Sequence, residues 1–250
     1  MEPNLLILGG TTEATALGNA VHATGLQALM SLAGRVERPA RQPIPRRIGG
    51  FGGVSGLADY LRTEQITHVI DATHPFAAQM SRNAVAACAE AGVPLVAFTR
   101  PPWTEQAEDH WHRVSDISAA VAALDRPVCR VMLAVGRMHL KAFAPNSRHF
   151  YLLRLVDAPE TPPAFLNQRV LVSRGPFTAA ADQALMEEFA IDLVVSKNSG
   201  GAGAYAKIEA ARALGLPVVM IDRPALPVRA EVFSVGDVLD WVHRATDRGV

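Results

Sequence analysis

The sequence has only two cysteines, no net charge and no long apolar run. Cys88 and Cys129 have no second cysteine or histidine at metal-ligand spacing, so we expect reduced core residues, without disulfides or a metal site. Basic and acidic residues number 24 each, which leaves no overall field to attract nucleic acid or a membrane surface. No apolar stretch reaches the roughly 18 residues needed to span a bilayer. We therefore expect a cytoplasmic protein that is a monomer or a weak homo-oligomer.

Several catalytic motifs are also missing. The sequence contains neither the Gly-x-Ser-x-Gly elbow of α/β-hydrolases nor the Gly-x-x-x-x-Gly-Lys-[Ser/Thr] phosphate loop. Tyr205 is followed by Lys207 rather than by a lysine four residues later, so the tyrosine–lysine pair of short-chain dehydrogenases is absent. These absences argue against three common enzyme classes of the α/β type.

What the sequence does contain is an internal repeat. Segment 92–101, with Gly-Val-Pro and then Arg-Pro, returns at 215–224 as Gly-Leu-Pro and then Arg-Pro, 123 residues later (Gly92 to Gly215). This offset sets 71–74 opposite 194–197 and Gly52 opposite Gly175; a small slip sets Gly9 opposite Gly136. Two copies are too few for a solenoid, so we expect two copies of one supersecondary plan.

Short apolar runs alternate with Ala-rich amphipathic segments throughout. The predicted strands are 5–8, 26–32, 68–70, 95–98, 130–135, 150–155, 170–172, 193–195 and 218–221. The predicted helices are 13–23, 54–62, 76–91, 117–124, 137–143, 178–189, 204–214 and 236–245. Apolar strands separated by helices predict parallel sheets covered on both faces.

The expected architecture is α/β, with two Rossmann-like parallel-sheet domains related by the repeat and an active-site cleft between them. A polar, proline-rich stretch at 99–114 interrupts the alternation, so we place the boundary there, giving domains 1–112 and 113–250. An exchange of a strand between the two sheets is compatible with this pattern.

The first candidate site is the run Gly9-Gly10-Thr11-Thr12-Glu13, between the first strand and the first helix. Glycines there let the backbone approach a phosphate, which then faces the free amides and the positive end of the helix dipole. The run departs from Gly-x-Gly-x-x-Gly, and the alternative is an ordinary turn in which Thr11 or Thr12 caps the helix.

The residues after the second strand indicate which cofactor is used. A NAD site places an acid about 20 residues beyond the glycines, but this window holds Arg35 and no acid. A guanidinium there can bind a 2′-phosphate, so we expect NADPH, the alternative being that Arg35 is a solvated loop residue. The glycine-rich run 49–53, with Gly52 and Gly53, could lie against the cofactor or be a flexible turn.

A third loop, Asp71-Ala72-Thr73-His74-Pro75, follows a strand at the edge where open α/β sheets bind ligands. Pro75 suits the first position of a helix, which makes Thr73 or His74 its cap. The His74 imidazole could exchange a proton near neutral pH, so we take it as a candidate catalytic residue beside Thr73. A purely structural turn is the alternative.

The matching loop of the second copy combines Lys197 and Ser199 with Gly200 and Gly201. Hydroxyls, a lysine and exposed amides before a helix predict an anion site. Further cations in this half suit a ligand with several carboxylates: Arg137, Lys141, Arg154, Arg174 and Lys207. We expect at least half of these cations to be solvated instead.

Five motifs together resemble the precorrin-6A reductase family, in the right order and along nearly the whole chain. They are Gly-Gly-Thr-Thr-Glu-Ala at 9–14, Asp-Ala-Thr-His-Pro-Phe-Ala at 71–77, Arg-Pro-Pro-Trp at 100–103, Arg-Gly-Pro-Phe at 174–177 and Lys-Asn-Ser-Gly-Gly at 197–201. The resemblance implies NADPH-dependent reduction of a ring double bond of an anionic tetrapyrrole, precorrin-6A, to precorrin-6B in corrin biosynthesis. A cobalt-containing substrate is equally compatible with the motifs.

On this reading the first half binds NADPH and the second half binds substrate carboxylates. The proton that completes the reduction would come from His74, Lys197 or bound water. Two other functions remain open: a non-catalytic NADP-binding sensor, and an NADP-dependent dehydrogenase of a small carboxylated metabolite.

Overall fold

The chain folds into two compact units, each built on its own parallel sheet. The computed structural model describes residues 2–34, 42–157, 161, 165–173 and 175–247. The first unit joins the chain up to Pro101 with the chain from Ala225 onward, and the second comprises Pro102–Pro224. The predicted α/β class with two parallel-sheet domains is confirmed, whereas the cleft between them stays a prediction.

The elements follow one another in nearly strict alternation. In chain order they are β1 (Asn4–Leu8), α1 (Thr12–Thr24), β2 (Gln27–Leu32), β3 (Arg46–Ile48), α2 (Val54–Thr63), β4 (His68–Asp71), α3 (Ala78–Ala91), β5 (Leu95–Phe98), β6 (Trp111–Val114), α4 (Ile117–Ala122), β7 (Arg130–Ala134), a 3-10 helix (Arg137–Asn146), β8 (Phe150–Leu155), β9 (Asn167–Val172), α5 (Ala179–Glu188), β10 (Leu193–Lys197), α6 (Ala206–Ala213), β11 (Val218–Ile221), β12 (Ala230–Val232) and α7 (Val235–Asp247).

The two sheets share one strand order. They run β12-β5-β4-β1-β2-β3 and β6-β11-β10-β7-β8-β9, with parallel pairing throughout. Counted within each repeat, this is the 3-2-1-4-5-6 order of the Rossmann fold. The outermost strand is exchanged: β6 follows β5 along the chain but pairs with β11, while β12 follows β11 and pairs with β5.

This exchange moves the division of the chain away from the predicted domains 1–112 and 113–250. Trp111 pairs with Val218 in the second sheet, and Ala230 pairs with Val96 in the first. The first unit is therefore discontinuous, and α7 belongs to it because Val238 and Val242 are buried in its core. A single boundary along the chain cannot describe these units, because the chain leaves the first unit after Pro101 and re-enters it at Ala225.

Alternation of side chains along β1 shows why the first sheet is covered on both faces. Leu5 and Ile7 pack in a cluster with α1 and α7, whereas Leu6 and Leu8 pack with α2 and α3. In the second sheet, Met132 and Val194 join a cluster formed with α5 and α6.

The strands missed by sequence analysis are the short ones at the sheet edges. β3, β6 and β12 have the sequences RRI, WHRV and AEV, which lack the continuous apolar runs of the central strands. The helix expected at 137–143 is a 3-10 helix over Arg137–Asn146 that includes Pro145. Polar edge strands pair on one side only, so their sequences carry little of the apolar signal.

The pairing register also corrects the repeat alignment around the candidate loops. Asp71 pairs with Ala97, and Ser196 pairs with Met220, which lies 123 residues after Ala97. Asp71 therefore corresponds to Ser196 rather than to Val194. The second copy has the shorter crossover helix, eight residues in α6 against 14 in α3. By the same reasoning, Gly10 rather than Gly9 corresponds to Gly136.

A buried ion pair fastens the returning chain to the first sheet. The carboxylate of Asp71, 2% exposed at the end of β4, binds the guanidinium of Arg229, which directly precedes β12. It also accepts hydrogen bonds from the Thr73 amide (3.1 Å), the Thr73 hydroxyl (2.7 Å) and the Ser81 hydroxyl (2.6 Å). Asp71 is thus a structural residue that orients the β4–α3 loop.

Arg229→Ala is expected to lower the free energy of unfolding by about 3 kcal/mol, because it leaves a buried carboxylate without its counter-charge. The exposed pair Arg148–Asp125 provides the control, since Arg148→Ala should cost less than about 1 kcal/mol. Urea denaturation followed by circular dichroism measures both. Equal effects of the two substitutions would contradict the structural role of Asp71.

Candidate functional site

Two glycines after β1 have different tasks. The Gly9 amide donates to the Ser31 carbonyl (2.9 Å), and a Cβ at Gly9 would lie 2.3 Å from Met30 Sδ, so glycine is needed for close packing of β1 and β2. Gly10 has a φ of +115°, and a Cβ there would meet no atom within 4 Å. Gly9 thus allows β1 and β2 to pack closely, while Gly10 allows the positive φ of the turn and leaves space beside the end of β1.

Thr11 is the N-cap of α1. Its hydroxyl accepts from the Ala14 amide (3.1 Å) and donates to the Ala72 carbonyl (2.8 Å), which joins the β1–α1 turn to the end of β4. The amides of Gly10, Thr11 and Thr12 have no acceptor in the described parts of the chain. The threonine side chain is therefore structural, and the amides can bind an anion.

Glu13 pairs with Arg100, which follows β5. Arg100 Nη1 lies 2.6 Å from Glu13 Oε2, and both side chains are largely buried. Partial burial favours the neutral acid, but hydrogen bonds from the Glu13 amide and from Arg100 outweigh it and hold the pKa of Glu13 below its ordinary value. Glu13 thus anchors the Arg-Pro segment at this sheet edge.

The glycine-rich loop 49–53 is shaped by Arg47 on β3. This guanidinium donates to the carbonyls of Gly49 and Gly50 (both 3.0 Å) and to the Ser31 hydroxyl (2.9 Å), and it stacks 3.9 Å from the Phe51 ring centroid. Gly52 and Gly53 have φ values of +80° and +99° before α2. Arg47 thus holds the carbonyl groups of this loop, and its contact with the cofactor stays a prediction.

In the β4–α3 loop, a separate turn precedes the helix. The Phe76 amide donates to His74 Nδ1 (3.1 Å), and the Ala77 amide donates to the His74 carbonyl (2.7 Å). Helix α3 begins only at Ala78, so the expectation that Pro75 occupies its first position, capped by Thr73 or His74, is wrong. Because Nδ1 accepts a hydrogen bond, the neutral imidazole carries its proton on Nε2.

The first unit therefore gathers three loops at the carboxyl edge of its sheet: the Gly9–Glu13 turn after β1, the Gly52–Gly53 loop after β3 and the Thr73–His74 loop after β4. This is the edge where doubly wound sheets bind ligands. Arg35 lies outside the described residues.

In the second unit, the loop after β10 has its carbonyl oxygens bound by three side chains. Arg223 donates to the carbonyls of Asn198 and Ser199 (both 3.0 Å), and Trp103 Nε1 donates to the Gly201 carbonyl (2.8 Å). The side-chain carboxamide of Asn198 accepts a hydrogen bond from the Trp103 amide (2.7 Å) and donates one to the Trp103 carbonyl (2.9 Å). The Lys207 ammonium donates to the Ala204 carbonyl.

The amides of this loop are left available. Gly200 and Gly201 both have φ values of +69°, and the amides of residues 200–203 donate to no other group among the described residues. We call the four amides of residues 200–203 the nest, because a run of backbone amides without acceptors can receive an anion.

The other substrate-binding candidates lie at or near this edge. Lys197 is the last residue of β10, and its carbonyl accepts from the Ser199 amide (2.8 Å). Arg137 is exposed directly after Gly136, beyond the end of the neighbouring strand β7. Arg174 lies outside the described residues.

Two of the cations expected near a ligand are buried within the second unit instead. Arg154 forms an ion pair with Asp182, which is 1% exposed, and stacks 4.0 Å from the Phe177 ring centroid. Lys207 is 5% exposed. Neither is a surface charge, because Asp182 and the loop carbonyls provide buried partners for them.

A pocket of about 510 Å³ lies beside the nest. Its lining includes Trp103, Trp111, Arg113, Asn198, Asp222 and Arg223. Asn198, Trp103 and Arg223 were not among the residues predicted for the site. Trp103 lies in the Arg-Pro-Pro-Trp motif and Arg223 in the repeated Arg-Pro, so the sequence did mark both positions. Arg47 lies in no motif, and no sequence signal marked it.

The described ranges contain neither a membrane-spanning helix nor a cluster of metal ligands. No helix in them is long and apolar enough to cross a membrane. No group of three or more potential metal ligands from His, Cys, Asp and Glu occurs in those same ranges.

Comparisons with known proteins agree with these features. A profile of the family described as precorrin-6x reductase CbiJ/CobK matches residues 4–243. The precorrin-6A reductase of Rhodobacter capsulatus is 56% identical over 98% of this chain and 99% of its own length. That of Rhodococcus erythropolis is 45% identical with the same coverage.

A solved structure, CobK precorrin-6A reductase, is 54% identical, covers 97% of both chains and superposes with a TM-score of 0.92. Family profile, sequences and structure all match over nearly the full length. The chain therefore belongs to the precorrin-6x reductase family, as the resemblance of its motifs predicts.

Proposed function

We propose that this protein reduces one carbon–carbon double bond of precorrin-6A with NADPH, giving precorrin-6B and NADP⁺ in cobalamin biosynthesis. Membership of the family makes it an oxidoreductase that needs a nicotinamide cofactor. Two amide-lined loops, one in each unit, supply what an anionic cofactor and an anionic substrate each require. Reductase relatives that span both loops favour this function over the sensor and the small-acid dehydrogenase.

The first unit fits the cofactor. The amides of Gly10, Thr11 and Thr12, at the start of α1, suit the cofactor pyrophosphate, and the Gly52–Gly53 and Thr73–His74 loops lie at the same sheet edge. NADPH, when bound, supplies a hydride to one carbon of the double bond. The run Ser31-Leu32-Ala33-Gly34-Arg35, which begins in the last two residues of β2, contains no acid to repel a 2′-phosphate and offers Arg35 to bind it.

The second unit suits the substrate. The amides of residues 200–203 and the cations Lys197 and Arg137 can bind the acetate and propionate groups of a tetrapyrrole. Arg174 is a further candidate on sequence grounds. The proton that the second carbon needs would come from His74, whose Nε2 carries a proton, from the Lys197 ammonium, or from water.

The cofactor assignment predicts that precorrin-6A turnover, followed by nicotinamide absorbance and the pigment spectrum, is faster with NADPH than with NADH. Arg35→Ala should raise the KM for NADPH about thirtyfold, as expected for loss of about 2 kcal/mol of charged hydrogen bonds, and leave that for NADH unchanged. The control Arg62→Ala removes a cation whose partners are Asp59 and Glu90. An unchanged NADPH/NADH ratio in Arg35→Ala would refute the assignment, and binding without turnover would favour the sensor.

The substrate assignment predicts that Gly201→Asp raises the KM for precorrin-6A at least tenfold without changing that for NADPH, because it adds a negative charge to the nest. Gly215→Asp is the matched control: Gly215 has a similar φ, +64°, but lies before β11 at the opposite sheet edge. If both variants behave alike, backbone strain rather than charge explains the effect.

The proton donor can be found by comparing His74→Gln with Lys197→Met at saturating substrate. Loss of a general acid should lower kcat about a hundredfold, whereas loss of a binding cation raises KM alone. Unchanged kcat in both variants would exclude both side chains and leave water as the donor.

A further inference from the structure

Lys207 is a buried cation beneath the nest. It lies in the first turn of α6 and is 5% exposed, so it cannot be a surface contact for substrate. Its Nζ donates to the Ala204 carbonyl (2.5 Å), at the end of the loop. Its charge therefore acts on the loop from inside the unit.

Trp103 connects the same ammonium to the middle of the loop. Lys207 Nζ lies 5.0 Å from the centroid of the Trp103 ring, a cation–π contact, while Trp103 Nε1 holds the Gly201 carbonyl. The ring of Tyr205 packs against Trp103, with centroids 5.4 Å apart. Lys207 and Trp103 thus fix two carbonyls whose orientation leaves the intervening amides available.

The surroundings make this ammonium easy to deprotonate. Burial, and then repulsion by Arg154 on β8, lower the pKa of Lys207 to about 7, although Asp182 on α5 works in the opposite direction. Other charged groups on α6 have separate roles, since Arg212 pairs with Asp109 and the Tyr205 hydroxyl, and Glu209 is exposed.

We propose that Lys207 is a positioning residue for the substrate: its ammonium holds the loop of residues 198–204 in the shape that binds a carboxylate and strengthens that binding by its charge. This inference rests on the proposed function, in which the loop receives substrate carboxylates. Lys207 itself touches no substrate atom.

A carboxylate at the nest stabilises the protonated form of Lys207, so substrate binding takes up a proton near neutral pH. Substrate carboxylates stay ionised from pH 6 to 9 because their ordinary pKa values lie near 4. The affinity for precorrin-6A should therefore be highest at pH 6 and fall as pH rises through the pKa of Lys207.

The test is the KM for precorrin-6A at saturating NADPH, measured from pH 6 to 9. In the wild-type protein it should rise about tenfold over this range. Lys207→Arg, which stays charged, should keep a low KM at every pH. Lys207→Met should show a high KM that does not vary with pH. The control Arg148→Met, which removes an exposed cation of the second unit paired with Asp125, should follow the wild type. The KM for NADPH should be the same in all four.

Two results overturn the inference. A wild-type pH profile in Lys207→Met would show that another group titrates, and a low KM in that variant would show that the ammonium is not needed. Lys207→Met removes a buried charge and keeps the side-chain volume, so it is expected to fold even if the arginine variant does not. If neither Lys207→Met nor Gly201→Asp changes the KM for precorrin-6A, the assignment of the loop to substrate binding fails. If Gly201→Asp raises this KM and Lys207→Met does not, only the role of Lys207 is refuted.

Discussion

Both candidate sites depend on one kind of interaction: hydrogen bonds from side chains to the backbone carbonyls of the loops at the carboxyl edge of each sheet. Arg47 holds the carbonyls of Gly49 and Gly50, and Arg223 holds those of Asn198 and Ser199. A peptide group that presents its oxygen to the protein must present its N–H elsewhere. The guanidinium groups of Arg47 and Arg223 therefore bind the loop carbonyls, and in the proposed sites it is the loop amides that would contact the ligand.

The two copies of the repeat share one strand order but differ in the side chains at their strand ends. At the end of the second strand, Ser31 accepts a hydrogen bond from Arg47, whereas the corresponding Arg154 is itself the cation and pairs with buried Asp182. After the fourth strand, the first copy uses buried Asp71 to shape its loop, while the second uses the Asn198 amide. The first unit thus buries the acid Asp71 at the end of β4, whereas the second unit buries the cations Arg154 and Lys207 near its glycine-rich loop.

The sequence predicted the central strands, most helices and the loops at the strand ends, because continuous apolar runs and glycine-rich turns are local signals. It could not predict β6 and β12 in exchanged positions, since edge strands are short and polar and their partners lie far along the chain. Lys207 and Arg154 resembled surface cations, since burial is decided by tertiary packing. Trp103 and Arg223 lay within recognised motifs, but their targets are backbone carbonyls, which have no sequence signature.

The exchanged strands also set the order in which the chain can complete its fold. The β5–β12 pair joins Val96 to Ala230, so the first sheet stays open at that edge until residues from the far end of the chain have been synthesised. The second sheet has its β6 strand early and can close once β11 emerges. Such long sequence separations slow folding, because the entropy cost of closing the loop comes before the strand contacts that stabilise it have formed. On the ribosome, the half that is translated first is therefore the last to be finished.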